Sequence, residues 1–144
     1  MAISFKSCKV EVSPNGTTWT DISAHAVAVE VSGGDRGVGN VFFFGADVPV
    51  LIAGAREPIE ITVRAAYTEA TGEAFELARA AYEDGSPFYV RFSPKGGASG
   101  TFLFTSDAGL VKSLKYPQGE AGSGDPVLVE FVVTTPKLTK SVVV

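Results

Sequence analysis

TGEAFELARAAYEDG, residues 71–85, is the one stretch where apolar residues recur at helical spacing. Phe75, Ala78 and Tyr82 fall at i, i+3 and i+7, with Leu77 and Ala81 widening the stripe, while Glu73, Glu76, Arg79 and Glu83 lie largely away from it. Thr71 is a candidate N-cap, Glu73 sits favourably near the positive end of the helix dipole, and Gly85, two residues before Pro87, marks the end. A helix of about a dozen residues is marginal alone in water, so it has to gain stability by packing its stripe on something else. Each large apolar side chain fully buried contributes about 1.5–3 kcal/mol. One helix that needs a surface, in a chain otherwise reading as strands and turns, sets the fold class.

Upstream, Lys6 to Val12 places Cys8, Val10 and Val12 on one face and Lys9 and Glu11 on the other. Ser13-Pro14-Asn15-Gly16 is a turn leading to Trp19 and Ile22. Ala24 to Ser32 alternates Val27, Val29 and Val31 with Ala26, Ala28 and Glu30. Gly33 to Asn40 reads as a glycine-rich polar loop, Val41 to Phe44 as an apolar strand, and Val48 to Ile52 as another, with Pro49 marking an edge or bend. Glu57 to Tyr67 is the clearest strand, with Ile59, Ile61, Val63, Ala65 and Tyr67 facing one way. Downstream, Phe88, Val90 and Phe92 form a hairpin with Phe102 and Phe104. Leu110, Leu114 and Tyr116 mark a short strand, Gln118 to Pro126 a loop, and Val127, Val129, Phe131 and Val133 a long strand. No repeat of 20 to 50 residues is present.

The pattern predicts a mainly β protein: a β-sandwich or partly closed barrel of eight or nine strands with one flanking α-helix. The expected organisation is a single domain over 1–136, with the helix at about 71–85, and a C-terminal arm over 137–144. The expected core is Val10, Trp19, Val29, Ile61, Val63, Phe75, Tyr82, Val90, Phe92, Phe102, Val129 and Phe131.

At 144 residues, with 45% apolar and 19% charged residues, the chain has the composition of one globular domain. The formal charge of −4 argues against a nonspecific nucleic-acid clamp, which needs clustered Lys and Arg. One cysteine allows no internal disulfide framework and no thiolate cluster, and Cys8 alternates in step with Val10 and Val12 as a buried small apolar residue would. No apolar run approaches a membrane span, so no membrane anchor is expected. His25 is the single histidine, and no nucleophile-elbow sequence surrounds any serine. Gly33 to Asn40 lacks the Gly-Lys-Ser/Thr and the following helix of a phosphate loop. The acidic loops lack calcium-ligand spacing. No catalytic site, cofactor or metal is expected. The informative anomaly is Val41-Phe42-Phe43-Phe44, whose aromatic side chains would point to both faces of a strand. Surface of that kind in so small a chain should meet another chain.

The order of parts resembles the major tail tube proteins of long-tailed, siphophage-type bacteriophages. The resemblance lies in SPNGTTWTDIS, then VEVSGGDRGVGNVFFFGADVPVLIAG, then REPIEITVRAAYTE, the lone helix and SPFYVRFSPKGG. It spans nearly the whole chain and implies a structural virion subunit that assembles into hexameric rings. The rings would stack around a tape measure protein, meet tail terminator and tip proteins, and conduct DNA without binding it specifically. It further implies residence in the virion tail after assembly in the host cytoplasm. Under it, Ala26, Ala28 and Glu30 are the candidate lumen residues of a smooth, weakly acidic wall. Val41, Phe42, Phe43, Phe44, Val48, Val50, Asp35, Arg36, Lys137 and Lys140 are the candidate inter-subunit residues. The loops 33–40 and 118–125 and the tail 137–144 are expected to be mobile until assembly. Two other readings stand beside it. One is a ligand- or carbohydrate-binding β-sandwich using Trp19, Tyr89 and Tyr116 as platforms, and the other a related tube component, such as a tail terminator or secretion-system tube.

Overall fold

The computed structural model describes residues 2–70 and 72–144, so the Thr71 cap lies outside the described residues. After a short 3-10 turn at Phe5–Ser7 come β1 (Lys9–Ser13), β2 (Thr20–Asp21), β3 (Ala26–Gly33), β4 (Arg36–Val41), β5 (Val50–Arg56) and β6 (Ile59–Ala66). Helix α1 (Ala74–Asp84) follows, then β7 (Tyr89–Ser93), β8 (Phe102–Ser106), β9 (Leu110–Lys115), β10 (Leu128–Thr135) and β11 (Leu138–Val142). A five-stranded sheet, β11-β8-β7-β1-β2, packs against a four-stranded sheet, β3-β6-β10-β9, and β4-β5 forms a separate two-stranded ribbon. The fold is the expected mainly β sandwich with one flanking helix. Its sheets do not close into a barrel, and eleven strands are present among the described residues where eight or nine were expected.

Alternation builds the core. In β6, Ile61, Val63 and Ala65 are buried and lie beside Val133, Phe131 and Val129 of β10. The opposite sheet supplies Val10, Val12, Val90 and Phe92, while Phe88 meets Phe131 edge to face with centroids 5.9 Å apart. Eight of the twelve expected core residues belong to this interior in the sense of being buried: Val10, Ile61, Val63, Phe75, Val90, Phe92, Val129 and Phe131. Val29 is half-buried against it.

Three expected core residues are elsewhere. Trp19 lies half-buried on the outside of the five-stranded sheet, against Tyr89 and beneath the Arg91 guanidinium. Phe102 is half exposed beside a surface cleft. Tyr82 is 46% exposed. Helix α1 docks through Ala74, Phe75, Ala78 and Ala81, small residues that allow close approach, and its aromatic anchor Phe75 sits between Tyr67 and Tyr116. Tyr82 is two turns further along, about 10 Å at the helical rise, and beyond that aromatic cluster.

The helix begins later than the spacing suggested. Glu73 is the N-cap, but its carboxylate makes no capping bond. It lies 2.8 Å from His25 Nε2 without hydrogen-bond alignment, tying the helix start to the link before β3. The other end closes as expected, with Gly85 in the left-handed region at φ 68°.

Two readings around residue 40 are corrected. Arg36 to Asn40, expected as part of a mobile loop, belong with Val41 to strand β4, and Phe42 to Phe44, expected as strand, form the tip of the β4-β5 hairpin. The tail is also ordered: Leu138 to Val142 pairs with β8 over five residues as the edge of the larger sheet.

Phe131→Ala is expected to lower unfolding free energy by about 3–5 kcal/mol in urea titrations, because it empties a site at the centre of the sandwich. Phe43→Asp should shift it by less than about 0.5 kcal/mol, since that side chain touches no core.

Candidate functional site: a projecting hairpin and a polar sheet face

The hairpin leaves the sandwich where β3 ends and β6 begins. Gly34 N donates to Pro58 O at 3.0 Å and Glu57 N to Asp35 O at 2.8 Å, which pins its base. Beyond that base every residue of β4 and β5 is exposed. The strands close on each other at a register shift near Gly37, where a Cβ on Gly54 would meet the Gly37 carbonyl oxygen at 2.8 Å. That approach demands glycine and explains why the segment reads as loop. Arg36 Nη1 donates to Gly54 O at 2.9 Å across the same shift. At the tip, Gly45 turns the chain at φ 80° and leaves Phe42, Phe43 and Phe44 in solvent, Phe44 fully so. Val41, Val48 and Val50 are exposed behind them. An isolated two-stranded hairpin is at best marginally stable in water, so this one carries apolar surface that its own chain does not cover.

The second feature is the outer face of the four-stranded sheet. A bulge at Val27 changes the phase of β3: Ala26 lies opposite Ala65, whereas Ala28 lies opposite Arg64. Ala26 therefore turns inward and packs against the core, and Val27, expected to share a face with Val29, is exposed. Ala28 and Glu30 do share the outer face, with Glu60, Thr62 and Arg64 of β6 and Glu130 of β10. The β10-β9 pairing adds Lys115 opposite Glu130, and a second bulge adds Lys112, which pairs with Glu60. Arg64 Nη2 is 3.7 Å from Glu130 Oε2. Glu30, Glu60 and Glu130 are thus set against Arg64, Lys112 and Lys115, a neutral face where Glu30 alone had suggested an acidic one. Strands β3 and β9 at its two sides each pair on one side only among the described residues.

The remaining candidates are dispersed. Asp35 and Arg36 lie at the hairpin base. Lys137 is exposed at that same end of the sandwich, its carbonyl accepting from Asp107 N and Thr135 Oγ1. Lys140 lies on edge strand β11, its Nζ 3.9 Å from the centre of the Phe102 ring.

A third feature was missed in the sequence. Ile3, Pro94, Lys95, Gly100, Thr101, Phe102 and Phe104 bound an apolar cleft of about 350 Å³. It exists because β7 and β8 pair only at Arg91–Thr105 and Phe92–Phe104, after which the strands diverge around the 94–101 turn. Partial pairing leaves no trace in alternation, and Phe102 reads as core.

Two of the expected aromatic platforms, Trp19 and Tyr116, have partners within the chain, although Tyr116 stays half exposed. Arg91 stands 4.1 Å over the Trp19 ring and is held by two bonds of 3.1 Å to Glu11. Tyr116 packs on Phe75 at 5.6 Å. Cys8 is half-buried, and burial raises its thiol pKa, which disfavours the nucleophilic thiolate. Among the described residues no group of three or more His, Cys, Asp or Glu could hold a metal, and no helix is long and apolar enough to cross a membrane.

No family model matches the sequence, and no curated protein matches it. The fold is shared with solved structures of phage-like tubes. A chain of the tail of an empty gene transfer agent particle, solved with helical refinement and C6 symmetry, superposes with a TM-score of 0.71 at 14% identity, covering 99% of this chain and 100% of that one. A chain of the extended sheath–tube complex of an extracellular contractile injection system superposes at 0.68 with 16% identity, covering 99% and 93%. A chain from the tube-terminating cap of the anti-feeding prophage gives 0.67 at 12% identity, covering 99% and 92%. The chain has a tail-tube-like fold, found in both contractile and phage-like particles.

In the free subunit, backbone amides of residues 36–56 should exchange with deuterium at least about 100-fold faster than those of β6 and β10, because the ribbon is solvated on both faces. Mass-spectrometric hydrogen exchange reads this directly.

Proposed function

We propose that this protein is a structural subunit of a phage-type tail tube, self-assembling into hexameric rings that stack into a hollow conduit for DNA. The observation that carries the reading is the four-stranded sheet, whose outer face bears paired charges of both signs among a few apolar residues and which is open at both lateral edges, β3 and β9. An open edge is a row of unpaired N–H and C=O groups ready to take another strand. When β9 of one subunit pairs with β3 of the next, the sheet continues around a ring and removes both edges. The outer face then becomes the wall of the channel.

On this reading the wall residues are Ala28, Glu30, Thr62, Arg64 and Glu130, and Ala26 is not among them. Paired charges of both signs leave no basic track to hold phosphates, which suits a channel through which DNA passes without being gripped. The six-fold symmetry of the gene transfer agent tail supports the ring number. A tape measure protein inside the tube, terminator and tip proteins at its ends, and assembly in a host cytoplasm before incorporation in a virion complete the proposal. No enzymatic role belongs to it.

Negative-stain electron microscopy of the concentrated protein tests the reading. Six-fold rings or hollow tubes are expected, and a protein that stays monomeric at every concentration overturns it. Replacing Val31 in β3 by proline, which removes an edge donor, should cut ring formation at least about tenfold while the melting midpoint falls by only a few degrees.

A further inference from the structure

We propose that Phe43 and Phe44 at the hairpin tip of one subunit insert into the Ile3–Phe102–Phe104 cleft of a second copy, joining copies head to tail. The proposal rests on the tube reading and names the contact that would link one ring to the next.

Tip and cleft lie at opposite ends of the same chain. The hairpin emerges beside Gly33 and Ile59, and Ile59 pairs with Thr135. Thr135 Oγ1 in turn donates to the Asp107 carbonyl just after β8, and Phe88, just before β7, pairs with Gly109. Strand β7 therefore starts near the hairpin and ends at the 94–101 turn on the far side, where the cleft opens. Strands β4 and β5, of six and seven residues, carry the tip about 20 Å from its base. A chain cannot fill its own cleft in this arrangement, whereas a second copy displaced along the same direction can.

Size and charge agree. A cavity of about 150 Å³ with apolar walls holds one benzene ring, so the 350 Å³ cleft has room for about two phenylalanine rings. Asp47 stands exposed beside the tip, and Lys95 and Lys140 stand exposed at the cleft, Lys140 directly over Phe102. Seating the rings brings an acidic group towards two basic ones. Because the two patches differ, the contact is heterologous, and because they lie at opposite ends of the chain it repeats head to tail, which generates a filament wherever the rotation does not close a ring.

Disulfide trapping tests this in the full chain. In a Cys8→Ser background, one chain carries Ala46→Cys beside the tip and a second, larger by a tag, carries Thr101→Cys at the cleft. Mixed under assembly conditions and oxidised, they should give a crosslinked heterodimer well in excess of either homodimer. Tubes seen by electron microscopy without this crosslink overturn the tip-in-cleft contact and leave the tube reading intact. Predominant Ala46→Cys homodimers mean tip-to-tip contact and overturn it too, and absence of any assembly overturns both readings. Ile3→Asp, at an exposed position, should abolish sedimentable polymer while leaving the circular dichroism spectrum unchanged. Folded Ile3→Asp that polymerises like the parent chain overturns the contact.

Discussion

Everything in this molecule hangs on the double pairing of β6. It is bonded along its length to β3 on one side and β10 on the other, and its residues divide cleanly between two media. Ile61, Val63 and Ala65 are removed from water, while Glu60, Thr62 and Arg64 stay in it. Period two dictates this division, and a slip of one residue would place Arg64 in the core. The hairpin precedes β6 immediately and the helix follows it, so the strand fixes where both begin. The result is a sheet that is wet on one face and packed on the other.

Legibility in the sequence follows from this physics. Where a strand is half-buried, one face must be apolar and the other polar, and Lys9 to Val12, Ile59 to Ala66 and Leu128 to Thr135 announce themselves by alternation. The helix at 74–84 does so by its different period. The hairpin has no buried face within its own chain, so nothing imposes alternation on it. Its composition instead answers to backbone approach at Gly37 and Gly54 and to apolar exposure at Phe42 to Phe44. That combination reads as a loop followed by a strand, although three consecutive phenylalanines are an anomaly for a strand with one solvated face. The bulges at Val27 and Lys112 are equally silent. Each inserts a residue that inverts the facing of everything on one side of it, which is why Ala26 turns to the core while Ala28 and Glu30 face outward.

The outer face of the four-stranded sheet also differs electrically from what its single letters suggest. Glu30 alone implies an acidic surface, but Arg64, Lys112 and Lys115 come onto the same face only through the β3-β6-β10-β9 register. They lie 34 or more positions away in sequence. Face charge is a property of register, and register between distant strands is not written in either strand separately.

In the proposed assembly, the energetics of the tip would make ring formation and stacking interdependent. Two buried phenylalanine rings contribute about 3–6 kcal/mol together, while bringing two free bodies into register costs an estimated 4–15 kcal/mol. A single tip in a single cleft therefore holds two lone subunits weakly or not at all. If subunits join laterally through β3 and β9 as proposed, that cost is met once for a whole ring and the tip contacts add around it, as in any multivalent assembly. On that reading the exposed phenylalanines are tolerable on a free subunit, since a surface of this kind becomes adhesive only when several copies present it in register.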